Sequence, residues 1–534
     1  MHGSSGSSSG RQPGIGPKAE FPIPARVAAG VWKPRQWPPR SEPGGRDPCA
    51  TRLGDLLGSR MPVHSRAKLL SRGPRTVLRR EAVMRCVILT ACLLCGGGGG
   101  TAVASEKYRL EEPADDPRVF GVGLRLDVHG KVQTLGEQNQ TTSLPLSASA
   151  AISYRERRLL GHGADAEALR SVRDYEQAQV DITVDEEKTA IRLSDALKLA
   201  VAQGRSSGLE IYSLTGLLSA EELELLSPPC DSLGFLALLP KEEVAVGDEW
   251  SPPAWVGQFL ARLDAVTKAD VKCKLVNVQD QLAKVTFSGS ATGAVLGAPS
   301  EVTFQGSYEY DLQVKAITGV EMRQSEKRGI GVVSVGLDVA AGLRVLRKPA
   351  KVAGRVSLQP VIDAAIQPPP EAARLLRFES PWNIGLLHSR DWHLFKQTEQ
   401  VAIFRLLDQG LFVAQCNLSP IPSAKPGEHT TAAVFEDDIR RSLGTRLVQL
   451  KPTEILPTGD RRHLQRAVAQ GLVGDRKLTW IYYLLADPSG KQVSLMFAVD
   501  SDAVEKLGQR DLEFVQSVRF GAPPTMAILK SPPR

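Results

Sequence analysis

The sequence predicts an α+β fold in which a large curved antiparallel sheet, an open half-barrel, is followed by a smaller α/β sandwich domain. Three observations support this prediction. Between residues 118 and 346, apolar and polar residues alternate with period two, as in strands that bury only one face. Residues 350–381 are rich in proline. After them, strand patterns are interleaved with amphipathic helices.

The first 83 residues have a different composition from the rest of the chain. They are rich in Gly, Ser, Pro and Arg and show no helical or strand periodicity, which is typical of a disordered segment. Two interpretations remain open: a basic tail, or translated upstream sequence of a protein that starts at Met84. We favour the second, because a signal peptide works only at the start of a chain.

Residues 84–104 have the pattern of a secretory signal peptide. Met84 and Arg85 precede ten residues that are almost all apolar, and an A-x-A pattern ends at Ala104. We expect cleavage between Ala104 and Ser105 and a location in the periplasm or cell envelope. Cys92 ends a lipobox-like Leu-Thr-Ala-Cys pattern, so lipidation at Cys92 is the alternative. Ten apolar residues are too few for a permanent transmembrane span, which needs about 20.

Charge is distributed unevenly along the chain. Residues 1–104 contain 16 Lys and Arg against 5 Asp and Glu, whereas residues 105–534 contain 50 against 54. The overall pI of about 9.0 therefore comes from the leader. Since the remaining chain has no basic excess, we expect no nucleic-acid partner.

Only Cys230, Cys273 and Cys416 lie in the part expected to be exported. Three scattered cysteines cannot form a disulfide framework. Either one pair forms a disulfide or all three are buried free thiols, and we favour free thiols.

The β-rich domain is expected to span residues 105–350. Strands are predicted at residues 124–128, 144–154, 275–285, 302–312, 320–322 and 335–339. A helix is predicted at residues 219–226, because Ser219 and Glu222 fit a capping box. A second helix is predicted at residues 194–203, and a turn at residues 246–250.

Residues 351–380 are expected to form a stiff, proline-rich linker. The second domain, residues 381–521, begins with predicted strands at 392–396, 401–407 and 411–418. A helix at 431–443 follows and stops at Gly444. Strands at 446–455, 463–472, 478–486 and 492–499, a turn at 487–490 and a helix at 502–517 complete it. Residues 522–534 are expected to be a disordered tail.

The order of elements in the second domain resembles the PsbP-like α/β/α sandwich, including the turn at 487–490 and the ending at 511–520. That resemblance implies a role in binding or assembly. The larger domain is similar to bacterial secreted β-rich proteins of unknown function around residues 238–240 and 246–250. Its curved sheet also resembles LolA and LppX carriers, which implies an apolar concave face for a lipid. No binding residue can be carried over from either family.

Several motifs were tested for chemistry. The Gly121 and Gly329 regions lack a third glycine and are interpreted as sheet glycines. His388 and His393, considered with Asp391, are five residues apart and show no obvious third metal ligand, so we interpret them as surface or packing residues. Cys416 lies in an apolar strand and is expected to be inert.

A group of aromatic residues, Trp480, Tyr482 and Tyr483, is interpreted as core packing. Trp382 and Trp392 flank the start of the second domain and could line an interface.

These observations favour a non-catalytic exported protein of the cell envelope with a binding or assembly role. The expected partner is a lipid or another envelope protein, and we expect no cofactor and no metal. Two alternatives remain: a hydrolytic enzyme with a site assembled from residues distant in sequence, and a purely structural envelope component. Strongly shifted pKa values clustered in a cleft would favour the enzyme.

Overall fold

The computed structural model describes residues 106–113, 116–135, 140–159, 166–205, 208–524 and 526–529. The leader and the predicted signal peptide lie outside these ranges. All described residues belong to one compact unit, so the expected division into two domains is not confirmed. Among the described residues, no helix is long and apolar enough to cross a membrane.

A twelve-stranded antiparallel sheet dominates the first part. Its strands are β2 (Val119–Leu135), β3 (Thr141–Arg158), β4 (Arg170–Val184), β5 (Glu187–Arg192), β6 (Leu199–Arg205), β7 (Gly208–Ser213), β9 (Glu249–Trp250), β10 (Ala265–Gln279), β11 (Leu282–Val295), β12 (Ala298–Asp311), β13 (Ala316–Arg328) and β14 (Gly336–Pro349). Their order is β7-β6-β4-β3-β2-β14-β13-β12-β11-β10-β9, and β5 pairs with β4. The sheet does not close on itself, which agrees with the predicted open antiparallel sheet. Two short strands, β1 (Lys107–Tyr108) and β8 (Val244–Ala245), pair separately.

The strand register gives this sheet one apolar and one polar face. One row of directly opposed residues consists of Cys273, Phe287, Gly306, Met322, Leu343 and Leu126. The adjacent row, one residue along each strand, consists of Lys274, Thr286, Ser307, Glu321, Arg344 and Arg125. Successive side chains point to opposite faces of a strand, so the two rows lie on opposite faces.

The chain between β7 and β10, apart from the sheet strand β9, packs on the apolar face. It contains α1 (Ala220–Leu225), a 3-10 helix (Ser232–Leu238) and α2 (Trp255–Ala261), and we call residues 214–264 the cover segment. The Ser219 hydroxyl accepts a hydrogen bond from the Glu222 amide, and the Glu222 carboxylate accepts one from the Ser219 amide. This complete capping box starts α1 and confirms the predicted helix. The predicted turn is present at Val246 and Gly247 and leads into β9.

Two predictions in this region are wrong. Residues 194–203 form a short 3-10 helix (Asp195–Leu197) and β6 where a helix was predicted. Both faces of β6 are buried, so the period-two pattern of a strand is missing there. The predicted strand 275–285 contains a hairpin turn, in which Asp280 and Gln281 have φ angles of 48° and 65°.

Residues 351–380 fold against the sheet in place of the expected extended linker. They form two 3-10 helices (Gly354–Ser357 and Glu371–Arg374), α3 (Gln359–Ile366) and β15 (Leu376–Glu379). Val356, Val361 and Ala365 are fully buried in a cluster with Leu199 and Val201 of β6. Pro360 lies in the first turn of α3, where proline is compatible with a helix, so it does not keep the segment extended.

A second antiparallel sheet contains eight strands. They are β17 (Trp392–Gln397), β18 (Ala402–Asp408), β19 (Leu411–Ile421), β20 (Leu447–Leu450), β21 (Glu454–Leu456), β22 (His463–Val473), β23 (Arg476–Ala486) and β24 (Gln492–Asp500). Their order is β17-β18-β19-β24-β23-β22-β20, and β21 also pairs with β22. A three-stranded sheet joins β15, β16 (Ile384–His388) and β25 (Arg519–Phe520).

Helices pack on both faces of the eight-stranded sheet. One face holds α4 (Ala432–Leu443), and the other holds α5 (Val504–Leu507) and α6 (Arg510–Ser517). The predicted strand 446–455 is split into β20 and β21 around Pro452, which cannot donate to a ladder. The predicted helix 502–517 is split at Gly508, whose φ is 60°.

Polar contacts join the chain from β15 onward to the large sheet and to α1. Arg390 Nη2 donates to the Ile211 carbonyl at 2.6 Å, and Arg377 Nη2 donates to Glu222 Oε2 of α1 at 3.0 Å. In the segment expected to be a disordered tail, the amides of Ile528 and Leu529 both donate to the Leu214 carbonyl. These contacts agree with a single compact unit.

Candidate binding surface

The site residues predicted from the sequence lie outside the part of the chain that the structure describes. They are the cleavage pair Ala104 and Ser105 and the lipidation candidate Cys92. Their predictions therefore remain untested, and the described residues direct attention to another feature.

A cavity of about 930 Å³ lies over the polar face of the twelve-stranded sheet. It extends across β2 and β10 to β14, and we call it the trough. Its lysines lie on β10 and β11, and they are Lys272, Lys274 and Lys284. Its arginines lie on β13, β14 and β2, and they are Arg323, Arg344 and Arg125.

Strands β11 and β12 also contribute uncharged polar side chains to the trough. Thr286 and Ser288 come from β11, and Gln305 and Ser307 come from β12. The lysine and arginine groups are thus separated by hydroxyl and amide groups. Neighbouring strands lie about 4.8 Å apart, so β10 and β13 are separated by roughly 14 Å. The trough is wide enough for an extended molecule.

Three carboxylates also line the trough: Asp127, Glu249 and Glu321. Lys274 Nζ contacts Glu249 Oε1 at 3.0 Å, and Arg344 Nε contacts Glu321 Oε1 at 3.3 Å. The hydrogen bond from Lys274 lowers the pKa of Glu249. Both pairs are solvent-exposed, so each contributes little to stability. The trough has six cationic and three anionic side chains, although residues 105–534 carry a net negative charge.

Two of the arginines face each other. Arg344 and Arg125 are direct partners in the register of β14 and β2. Like charges in directly opposed positions destabilise a sheet. The Glu321 carboxylate offsets part of this repulsion, and an anion bound in the trough would offset more.

A second charged group is buried at one end of the apolar face. This ionic cluster consists of Glu112, Glu156, Arg158, Arg173, Asp231 and Arg347. Arg173 donates to Glu156 at 3.0 Å and to Asp231 at 2.7 Å, and Arg158 donates to Glu112 at 2.6 Å. Arg347 also donates to Glu112. Three cations and three anions balance, and the contacts fix the cover segment and the 106–113 segment to the sheet.

The electrostatics of the ionic cluster keep Glu156 charged. Burial alone would raise the pKa of Glu156, but the guanidinium groups of Arg173, Arg158 and Arg347 outweigh burial and hold the pKa at about 2. Ser232 and Ser171 also donate to the Glu156 carboxylate. Because its partners occupy the carboxylate and no solvent reaches it, we interpret the cluster as structural.

The histidines considered as metal ligands do not form a metal site. His388 is buried beside Phe404 and Phe514, and burial lowers its pKa to about 4. His393 lies on β17 and is half-buried. No group of three His, Cys, Asp or Glu side chains among the described residues could hold a metal ion.

The three cysteines are buried and free, which confirms the favoured interpretation. Burial raises the pKa of Cys273 to about 12, and it also raises the pKa of Cys230 and Cys416. Such thiols are poor nucleophiles at neutral pH.

The aromatic residues of β23 pack in two cores, one on each face of the second sheet. Trp480 and Tyr482 face α4, and Tyr483 faces α6. Core packing was the predicted role. Of the glycine pairs, Gly121 lies in β2 as predicted, whereas Gly329 lies in the loop between β13 and β14.

The trough residues were missed as a site by sequence analysis. The alternation in β12 does place Gln305 and Ser307 on a wet face, but any exposed sheet face has that pattern. What brings the Lys272 and Arg323 regions to one surface is the register of four strands, and no local motif encodes it. A signal was present in the lysines and arginines that occupy alternate positions of these strands.

Comparisons with known proteins do not assign a family. No family model and no curated protein sequence matches the chain. A Bacteroides thetaiotaomicron structure matches at 13% identity and TM-score 0.21, covering 27% of this chain and 47% of its own. A Pseudomonas aeruginosa protein of unknown function, described as a putative regulator, matches at 12% identity and TM-score 0.19, covering 27% and 95%. Lipovitellin matches at 8% identity and TM-score 0.24, covering 45% and 26%.

The chain spans about half the length of the first of these structures. The part of the chain that the structure describes is dominated by antiparallel sheets, which agrees with the interpretation as a β-rich protein. The resemblances to PsbP-like and to LolA and LppX proteins are not confirmed.

Proposed function

We propose that this chain is an exported, non-catalytic binding protein of the cell envelope that holds an extended anionic partner in the trough. The observation that carries the proposal is the arrangement of three lysines and three arginines on opposite sides of an uncharged polar floor. On a chain with a net negative charge from residue 105 onward, such a surface attracts anions selectively.

An apolar ligand has less support. The apolar face of the large sheet is packed by the cover segment, with Leu233, Phe235 and Leu260 almost completely buried against it. A lipid would have to displace these side chains. The polar face carries the cavity, so the partner that fits it is polar and charged.

The binding proposal is tested by affinity measurements with polymers of different charge. The full chain is titrated with fluorescent dextran sulfate, polyphosphate, poly-L-glutamate and neutral dextran at two salt concentrations. We expect binding to at least one anionic polymer, weakened by salt, and no binding to neutral dextran. A variant with Lys272→Gln, Lys274→Gln and Lys284→Gln should bind roughly tenfold more weakly, since each exposed charge contributes up to about 1 kcal/mol.

A matched control removes the same charge elsewhere. Lys188, Lys351 and Lys425 are exposed and lie outside the trough. Their triple Gln variant should bind as the parent does. Equal loss in both triple variants, or binding of neutral dextran, would contradict the proposal.

Export is tested separately by peptide mapping of the protein recovered from cells. We expect it in the envelope fraction, with Ser105 as the first residue. A mature chain that begins at Cys92 would instead support lipidation. Abundant peptides from residues 18–60 would contradict both cleavage before Ser105 and lipidation at Cys92.

A further inference from the structure

We propose that the trough contains a subsite for a tetrahedral oxyanion, a phosphate or sulfate group of the anionic partner, above Gly342. This inference rests on the proposed function and specifies the chemistry of its site. The space above Gly342 is bordered by Arg323, its direct partner on β13, and by Arg344, two residues further along β14. Arg125 is the partner of Arg344 on β2. We call this space the Gly342 notch.

The glycine at this position is not required by the fold. The φ of Gly342 lies outside the left-handed region, and a Cβ added there would meet no atom within 4 Å. Gly306 in the same sheet differs, because its added Cβ would lie 2.2 Å from the Glu321 carbonyl oxygen and 2.6 Å from the Phe287 ring. A glycine inside a strand weakens it, and one accepted reason for its presence is close approach of a ligand.

The charges around the notch fit an oxyanion. Arg344 contacts Glu321, whereas no ion pair of Arg323 or Arg125 occurs among the described residues. Asp127, the other cross-strand partner of Gly342, is the second carboxylate nearby. With three guanidinium groups and two carboxylates around it, the Gly342 notch has a net positive charge.

The number of donors favours phosphate or sulfate over carboxylate. Each guanidinium offers up to five N–H donors in a planar fork. A carboxylate has two acceptor oxygens, whereas a sulfate ester or a terminal phosphate group presents three outward-facing oxygens. Arginine forks bind such groups in a bidentate manner. Three arginines around one open position therefore match a tetrahedral group better.

The test fills the notch without changing any charge. Gly342→Val is made in the full chain, and Gly123→Val is its matched control. Gly123 lies on the same face of β2 as Arg125. A Cβ added to Gly123 would also meet no atom within 4 Å, and Gly123 does not line the trough. Affinities for polyphosphate, dextran sulfate and poly-L-glutamate are measured for both variants and the parent.

We expect Gly342→Val to weaken binding of polyphosphate or dextran sulfate by about tenfold or more, and of poly-L-glutamate by less than about twofold. The polymer that loses more affinity identifies the group as phosphate or sulfate. Gly123→Val should bind all three as the parent does. Thermal unfolding should show Gly342→Val to be folded, because valine is favoured in strands. Should it fail to fold, Arg323→Gln takes its place with the same expected selectivity.

Two outcomes would overturn the inference in different ways. If Gly342→Val and Arg323→Gln bind every polymer as the parent does, the notch is not a subsite, while the trough remains the binding surface if the triple lysine variant is weakened. If the parent binds none of the anionic polymers, the proposed function itself fails, and the subsite fails with it.

Discussion

At the scale of single residues, Arg173 shows how this fold places charge inside its core. Its side chain is completely buried, it donates to Glu156 and Asp231, and its guanidinium lies 4.8 Å from the centre of the Tyr154 ring. The three partners come from β3 and from the start of the 3-10 helix in the cover segment. One side chain thereby links two strands of the sheet to its cover.

Removal of the Arg173 charge should be strongly destabilising. Arg173→Met leaves Glu156 and Asp231 buried beside an apolar side chain, and breaking a buried pair in this way costs about 3–5 kcal/mol. The control is Arg192→Met, because Arg192 lies 3.8 Å from Asp181 and both side chains are exposed. That change should cost less than about 1 kcal/mol. Urea denaturation measures both, and equal stability of the two variants would contradict the structural role of the ionic cluster.

At the scale of elements, the strands that expose one face could be predicted from the sequence, whereas β6, which is buried on both faces, could not. Residues 302–312 alternate strictly, and all but the last of them belong to β12. β6 lies between the cover segment and α3, so both of its faces are buried. Its sequence therefore lacks the alternation of apolar and polar residues, and a helix was predicted there. Among the helices, α1 was predicted because its capping box is a local signal. The short helix α2 has no side-chain cap and was missed.

The residues of the candidate site are harder to predict from the sequence than the strands that carry them. Each strand shows which residues face water, but not which residues of other strands lie beside them. Gly342 has an unremarkable neighbourhood in sequence, between Ala341 and Leu343. Its position beside Arg323 and Arg125 depends on the registers of two strand pairs, β13 with β14 and β14 with β2, which arise from tertiary packing.

At the scale of the whole molecule, two buried titratable groups should make stability depend on acid. The pKa of His388 is about 4, below the ordinary 6.5, because burial disfavours the charged ring. The neutral form is therefore favoured in the folded state. The pKa of Glu156 is about 2, below the ordinary 4.5, and its charged form is favoured. In both cases the unfolded chain binds a proton more readily, so stability present at neutral pH is lost on acidification.

The two groups act in separate pH ranges. His388 should reduce the free energy of unfolding by roughly 3 kcal/mol between pH 6.5 and 4, and Glu156 should act between pH 4.5 and 2. His388→Phe should remove the first part of the pH dependence, and the exposed control His129→Asn should retain it. Urea denaturation at several pH values measures the difference. An unchanged slope between pH 6.5 and 4 in His388→Phe would contradict the assignment.

The order of strands in the large sheet also has a consequence for synthesis. Strands β2 to β7 form one group and β9 to β14 another, and the groups meet only where β2 pairs with β14. Gln133 of β2 pairs with Gly336 of β14, roughly 200 residues later in the chain. At the usual ribosomal rate of about 5–20 residues per second, roughly 10–40 s pass between the synthesis of β2 and that of β14. During that interval a 17-residue strand presents an open edge to other nascent chains. Arg125, Asp127 and Lys131 place charges on this strand, and we expect these charges to oppose edge-to-edge aggregation until β14 is synthesised.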